Sequence, residues 1–245
     1  NLFFDKKLKI LSEIPKNLPV IFGEGSGGVL FHEILSHPLE GDVFKNSCYK
    51  NKLGEKISKD FLTVYDDPTF KGLPVCRKFD DEGEVCLRKP LLEKGVLKNI
   101  LCDNYYSKAY LFPPGNARIC LENPIPLPRA TNTLVQEVKE NQNFSMDIYP
   151  NFLFIPFIKK ASFSPPDKIS LLAGPVFYYL NRKLYGKILN LKIEGSIREF
   201  LSGIDFVGGK LKNCITFGTC LKDGGKLFVG AASPDLSFLN LRYRI

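Results

Sequence analysis

An α+β fold dominated by antiparallel β-sheet, barrel-like or layered, with one helix near the N-terminus, is what this 245-residue sequence predicts. Three observations carry the prediction. Between Phe61 and Tyr110 the apolar runs are short, alternate with polar residues and are separated by turn signals: Asp66-Asp67-Pro68, Asp80-Asp81-Glu82-Gly83 and Glu93-Lys94-Gly95. Such spacing is that of β-hairpins. A second stretch, from about Ile169 to Val229, repeats the character, with Asn181-Arg182-Lys183 and Gly208-Gly209 as expected turns. Val29, Leu30, Ile34 and Leu35 recur instead at helical spacing.

Taken in order, Asn1–Val20 is mixed and leads past Pro19 into Val20-Ile21-Phe22, a short apolar run read as a strand. Gly23, Gly25, Gly27 and Gly28, with Ser26 among them, punctuate a loop. A helix over Val29–His37 follows, and Pro38 disfavours helical geometry at His37, so the helix is expected to fray or end there. Ser107–Tyr110 opens a short helix before Pro113-Pro114-Gly115. Residues 112–133 are Pro-rich and expected to be irregular. No repeat, low-complexity segment or domain boundary interrupts the chain, which reads as a single domain over residues 1–245.

The net charge is +8, but the lysines and arginines are spread out, with no dense basic tract beyond the short Arg242–Arg244 tail. Nucleic acid is therefore not an expected partner. No apolar run approaches the roughly 18 residues a membrane helix needs, and no secretory signal opens the chain. The seven cysteines form no C-x-x-C pair. Reduced thiols in a cytoplasmic protein are expected, where the glycosylation triplet Asn143-Phe144-Ser145 has no meaning.

Chemistry concentrates in His32-Glu33-Ile34-Leu35-Ser36-His37, which holds both histidines of the chain. A hydrolytic zinc site needs three protein ligands and an open position for water. A neighbouring Glu that is not a ligand serves as general base, the role open to Glu33. Histidines five apart stand about 140° around a regular helix and share no face. They share a metal only if the helix widens by one residue, as a π-bulge does, or unwinds at its end. Pro38 makes the second route reasonable. With no third His, the remaining ligand must be Asp, Glu or Cys, and the residues alone do not choose among them. Cys220 lies in the Gly-flanked segment Phe217–Gly225, where a thiolate can be presented. Glu40 and Asp42 are candidates to orient a ligand His, or belong to a solvated loop. Arg129, Thr131 and Asn132 are candidates to face a substrate bound as an added strand, or polar organisers of a loop. The glycines at 23–28 lack the Lys-Ser/Thr ending of a phosphate loop and are read as allowing close backbone approach beside the metal.

These segments resemble the catalytic half of TldD-type proteins of the TldD/PmbA family, zinc peptidases also called modulators of DNA gyrase. Gly27–Glu33 and His37–Asp42 are similar to the family's metal-binding segment. Asp80–Gly83 with Leu92–Lys98 is similar to its "DDEG … IEDGILK" hairpin, Pro128–Thr133 to its "PRMTNT" stretch, and Gly218–Gly224 to its "GTCGKDGQ" segment. The blocks occur in family order over about residues 20–235. The resemblance implies His32, His37 and Cys220 as Zn2+ ligands and Glu33 as general base. It also implies hydrolysis of short or unfolded peptides, including leader trimming. It further implies a hetero-dimer with a related TldE/PmbA-type subunit lacking the motif, or a homo-dimer. The family's N-terminal domain is absent from the sequence, which keeps a non-catalytic scaffold subunit as the rival expectation.

Overall fold

The computed structural model describes residues 8–141, 148–209, 211, 215–222 and 224–245. The triplet Asn143-Phe144-Ser145, Cys214 and Asp223 lie outside them. In chain order the strands are β1 (Val20–Phe22), β2 (Val64–Asp66), β3 (Lys89–Glu93), β4 (Val96–Leu97), β5 (Ala117–Cys120), β6 (Asn123–Pro128), β7 (Asn132–Val135), β8 (Phe152–Ile155) and β9 (Ile158–Ser164). There follow β10 (Lys168–Ala173), β11 (Val176–Leu180), β12 (Lys183–Ile188), β13 (Leu191–Ser196), β14 (Ile204–Val207), β15 (Ile215–Lys222), β16 (Gly225–Ala232), β17 (Leu236–Phe238) and β18 (Tyr243–Arg244). Helices are α1 (Ser26–Phe31), α2 (Gly41–Phe44), α3 (Asn104–Tyr110) and α4 (Ile197–Gly203).

The strands form open sheets ordered β12-β11-β8-β1-β17-β14, β18-β13-β10-β9 and β15-β16-β7-β2-β3-β4, with β5-β6 as a separate ribbon. Pairing is antiparallel except at β1–β8 and β7–β16. The fold is thus mixed α+β with antiparallel-rich sheets, and none of them closes into the barrel that was one of the two expected forms. Among the described residues no helix is long and apolar enough to cross a membrane.

Local chemistry explains the elements that position the site. Val20, Ile21 and Phe22 have no exposed surface, so the strand is apolar throughout rather than alternating, and Phe22 packs edge-on against Phe238 of β17 at 5.3 Å. The β3–β4 hairpin turns at Lys94 and Gly95, both with positive φ (49° and 75°). A side chain at Gly95 would meet the Ser58 carbonyl at 2.4 Å, which leaves only glycine. Asn181 and Arg182 turn β11 into β12 in the same way.

Three expectations need correction. Residues 112–133 are not irregular: they hold β5, β6 and the start of β7. Prolines at 124, 126 and 128 are tolerated because β6 pairs on one side only, with β5, and has no second neighbour to supply with N–H groups. The second β-rich stretch begins earlier, at β8, and is interrupted by α4, which a capping box of Ser196 and Glu199 starts. The first helix does not end at His37, which keeps helical angles (φ −59°, ψ −48°). The chain continues as a 3₁₀ turn, His37–Leu39, before Glu40 becomes extended.

Candidate metal centre

The site is built on the run that follows α1. His32–Ser36 forms a π-helical turn, in which the His37 amide bonds to the His32 carbonyl five residues back. This widening brings the two rings onto one face, with centroids 4.6 Å apart. Of the two routes open to histidines at this spacing, the chain takes the bulge and not the unwinding. The turn is anchored by the buried Tyr49, whose hydroxyl donates to the Ile34 carbonyl at 2.9 Å. A helix so placed needs close contact beneath it. A side chain at Gly28 would meet the backbone nitrogen of Ala232 in β16 at 2.8 Å. Gly28 therefore permits close approach of α1 to the strand beneath it.

Cys220 comes from β15 on the opposite wall. Its sulfur lies 3.3 Å from His37 Nε2, and the donor atoms of His32, His37 and Cys220 all fall within 4.8 Å of one another. His32 Nε2 is buried and has no hydrogen-bond partner among the described residues. Both Nδ1 atoms face protein oxygens: Thr133 Oγ1 at 3.2 Å for His32 and Glu40 Oε2 at 3.3 Å for His37. With each Nδ1 set against a protein oxygen, both Nε2 atoms are left for the space shared with the thiol.

Electrostatics match that arrangement. Burial opposes ionisation of Cys220, but the two imidazoles outweigh it and bring the thiol down to about 5. Burial likewise opposes charge on Glu40, yet Lys222 and His37 hold its carboxyl well below the usual carboxylate range. Burial opposes charge on His37, but Glu40 and Cys220 together outweigh it and raise the imidazole well above its ordinary value. Lys222 Nζ donates to Glu40, Asp42 and the Pro128 carbonyl. Glu40 therefore orients His37, while Asp42 bears on it only through Lys222.

Two nitrogens and a thiolate at this separation suit a borderline-soft divalent ion, and three protein donors leave a fourth position open. The orphaned His32 Nε2 is what such an ion would satisfy. Glu33, 7% exposed, has no partner for its carboxylate among the described residues and lines the same 950 Å³ cleft as the three donors. The other walls of this cleft include β16 and the strands β9 and β15, the last two each at the edge of its sheet.

Arg129, Thr131 and Asn132 do not line the cleft. Thr131 donates to Asp66, while Asn132 donates to the carbonyls of Asp67 and Val75, and both are fully buried. Arg129 Nη2 reaches Cys220. Thr133 and Lys222 were not anticipated. For Lys222 a signal exists: two residues past Cys220 on a strand, it shares the thiol's face. Thr133 sits in a strand buried on both sides, which leaves no periodicity to single it out.

The family model described as the PmbA/TldA metallopeptidase C-terminal domain matches residues 15–243. The chain is 30% identical over 230 residues to a protein named metalloprotease TldD homolog from Buchnera aphidicola subsp. Acyrthosiphon pisum, covering 91% of this chain and 47% of that one. It is 26% identical over 229 residues to a protein named zinc metalloprotease TldD homolog from Saccharolobus solfataricus, covering 91% and 51%. The crystal structure of TldE from Thermococcus kodakarensis shares the fold, with a TM-score of 0.77 at 20% identity over 97% of this chain and 52% of that one. The chain spans about half the length of the curated relatives it matches.

Proposed function

Because the chain belongs to the PmbA/TldD metallopeptidase family, whose C-terminal domain model it matches over residues 15–243, we propose that it is a zinc-dependent peptidase acting on short or unfolded peptides, in peptide degradation or leader trimming. His32, His37 and Cys220 are the metal ligands in this reading, and Glu33 is the general base. The observation that carries it is the convergence of the donor atoms of His32, His37 and Cys220 within 4.8 Å of one another, His32 Nε2 being buried with no hydrogen-bond partner among the described residues.

A zinc ion held by these donors supplies a Lewis acid and lowers the pKa of water toward neutrality. The rest falls to the chain's own groups. Glu33 receives the proton of the attacking water on its free carboxylate and returns it to the leaving amine nitrogen. The peptide lies extended in the cleft beside β9 and β15, each of which has a strand neighbour on one side only among the described residues. That mode of binding grips backbone rather than side chains and tolerates varied sequences. Arg129, Thr131 and Asn132 act from behind the site, as residues that hold it in place. The expected partner is a TldE/PmbA-type subunit or a second copy.

The test is the metal content of wild type, His37→Ala and Cys220→Ala, with cleavage of an unstructured peptide measured on the same samples. One zinc per chain in wild type, lost with activity in both variants, is expected. Zinc retained by Cys220→Ala would move the third ligand elsewhere. Absence of both metal and activity, with a partner subunit supplied, would leave a binding subunit instead.

A further inference from the structure

Arg129 enters from the loop between β6 and β7 and is among the most deeply buried large side chains, at 2% exposure. Burying a guanidinium is costly unless strong acceptors meet it. No ion pair among the described residues includes Arg129. Its partners are instead two atoms of a single residue: Nη2 donates to the Cys220 carbonyl at 3.1 Å and to the Cys220 sulfur at 3.2 Å.

The position of Cys220 gives this contact its meaning. β15 has one strand neighbour, β16, and Cys220 lies opposite Leu227 near the end of that ladder. Cross-strand bonding therefore ties β15 to one neighbour only, and Arg129, which lies just before β7 beyond β16, reaches across to the carbonyl and sulfur of Cys220. We infer that Arg129 is the positioning residue for Cys220, one nitrogen fixing backbone and sulfur together so that the thiol meets His32 and His37 in a single rotamer. The inference rests on the ligand set proposed above. It adds that the cysteine arm of the site depends on a residue that does not line the cleft. The histidine arm has braces of its own, Thr133 and Glu40, so loss of Arg129 acts on the sulfur selectively.

Cobalt(II) titration of the full chain separates these contributions, because thiolate ligation adds a sulfur-to-cobalt charge-transfer absorption to the d–d bands. Wild type is expected to show both. Arg129→Met is expected to bind cobalt about 10- to 100-fold more weakly, with the charge-transfer band weakened or shifted. Arg129→Lys, which keeps the charge but not the planar geometry, should recover part of both effects. An Arg129→Met chain with native circular dichroism, wild-type affinity and an unchanged band would overturn the inference and leave the ligand set standing. Should Arg129→Met not fold, Arg129→Lys decides: a perturbed band supports the role and a wild-type band refutes it. A wild-type chain that binds cobalt without the band would remove Cys220 from the ligand set, and this inference with it.

Discussion

Each of the three candidate donors is held by a different atom of one short segment. Thr133 meets His32, the Ala130 amide donates to Glu40, which in turn meets His37, and Arg129 grips Cys220. A segment of five residues thus reaches all three arms of the site, with Lys222 also bracing Glu40, and such outer contacts are how ligand orientation is ordinarily secured in metal centres. Glu33 stands apart from that support, next to a donor in sequence yet with its own carboxylate uncommitted. Its proposed task is proton transfer, so Glu33→Gln should keep one metal per chain and leave KM close to wild type while kcat falls about 10²- to 10⁴-fold. Metal stoichiometry and steady-state kinetics on one preparation check this. Loss of metal in the variant would place Glu33 in the ligand set and exclude the general-base role.

The elements that carry the site were partly legible in the sequence, and the physics divides the two parts. Val20–Phe22 and the hairpin turn at Lys94-Gly95 could be read because an apolar triplet beside glycine and a turn dipeptide each report a local requirement. The His-Glu-x-x-x-His spacing posed the geometric problem correctly, but Pro38 pointed to unwinding. The turn observed is a π turn whose Ile34 carbonyl accepts from Tyr49, 15 residues away, and no local pattern records that contact. The β5–β6 ribbon was hidden because proline argues against a strand unless it is known to lie at an edge. Element packing also fixes the outcome of Gly28→Ala. In an open helix this change adds about 1 kcal/mol of helix propensity. Here the new methyl meets the Ala232 backbone nitrogen at 2.8 Å and Ala231 Cβ at 3.0 Å, an overpacking that costs about 1–3 kcal/mol. The clash outweighs propensity, so the variant should unfold at lower denaturant than wild type. It should also bind metal more weakly, since α1 must lift and carry His32 with it. Chemical denaturation and metal titration test the two effects separately.

At the scale of the molecule the site joins segments distant in the chain, Cys220 lying 183 residues beyond His37, and the cleft opens where two sheets end in the edge strands β9 and β15. The junction behind α1 carries a strain of electrostatic origin. Asp235, just before β17, is pushed up from its ordinary 3.8 to about 6, first by burial and then by the neighbouring Glu24. The folded protein therefore holds this proton more tightly than the unfolded chain does. Its contribution to stability is complete below pH 3.8 and is lost as the pH rises through about 6. At neutral pH the fold keeps a partly buried carboxylate that would be better solvated in the unfolded chain. Asp235→Asn retains an oxygen able to accept a hydrogen bond and removes the titration. After allowance for solvent screening, the variant should be more stable than wild type by on the order of 1–2 kcal/mol at pH 7. The advantage should shrink toward zero near pH 4, where wild-type Asp235 is itself protonated. Urea unfolding of both proteins across that range isolates the residue, since every other titrating group is common to the pair. A difference in stability that stays constant with pH would show that Asp235 keeps its ordinary acidity in the folded protein.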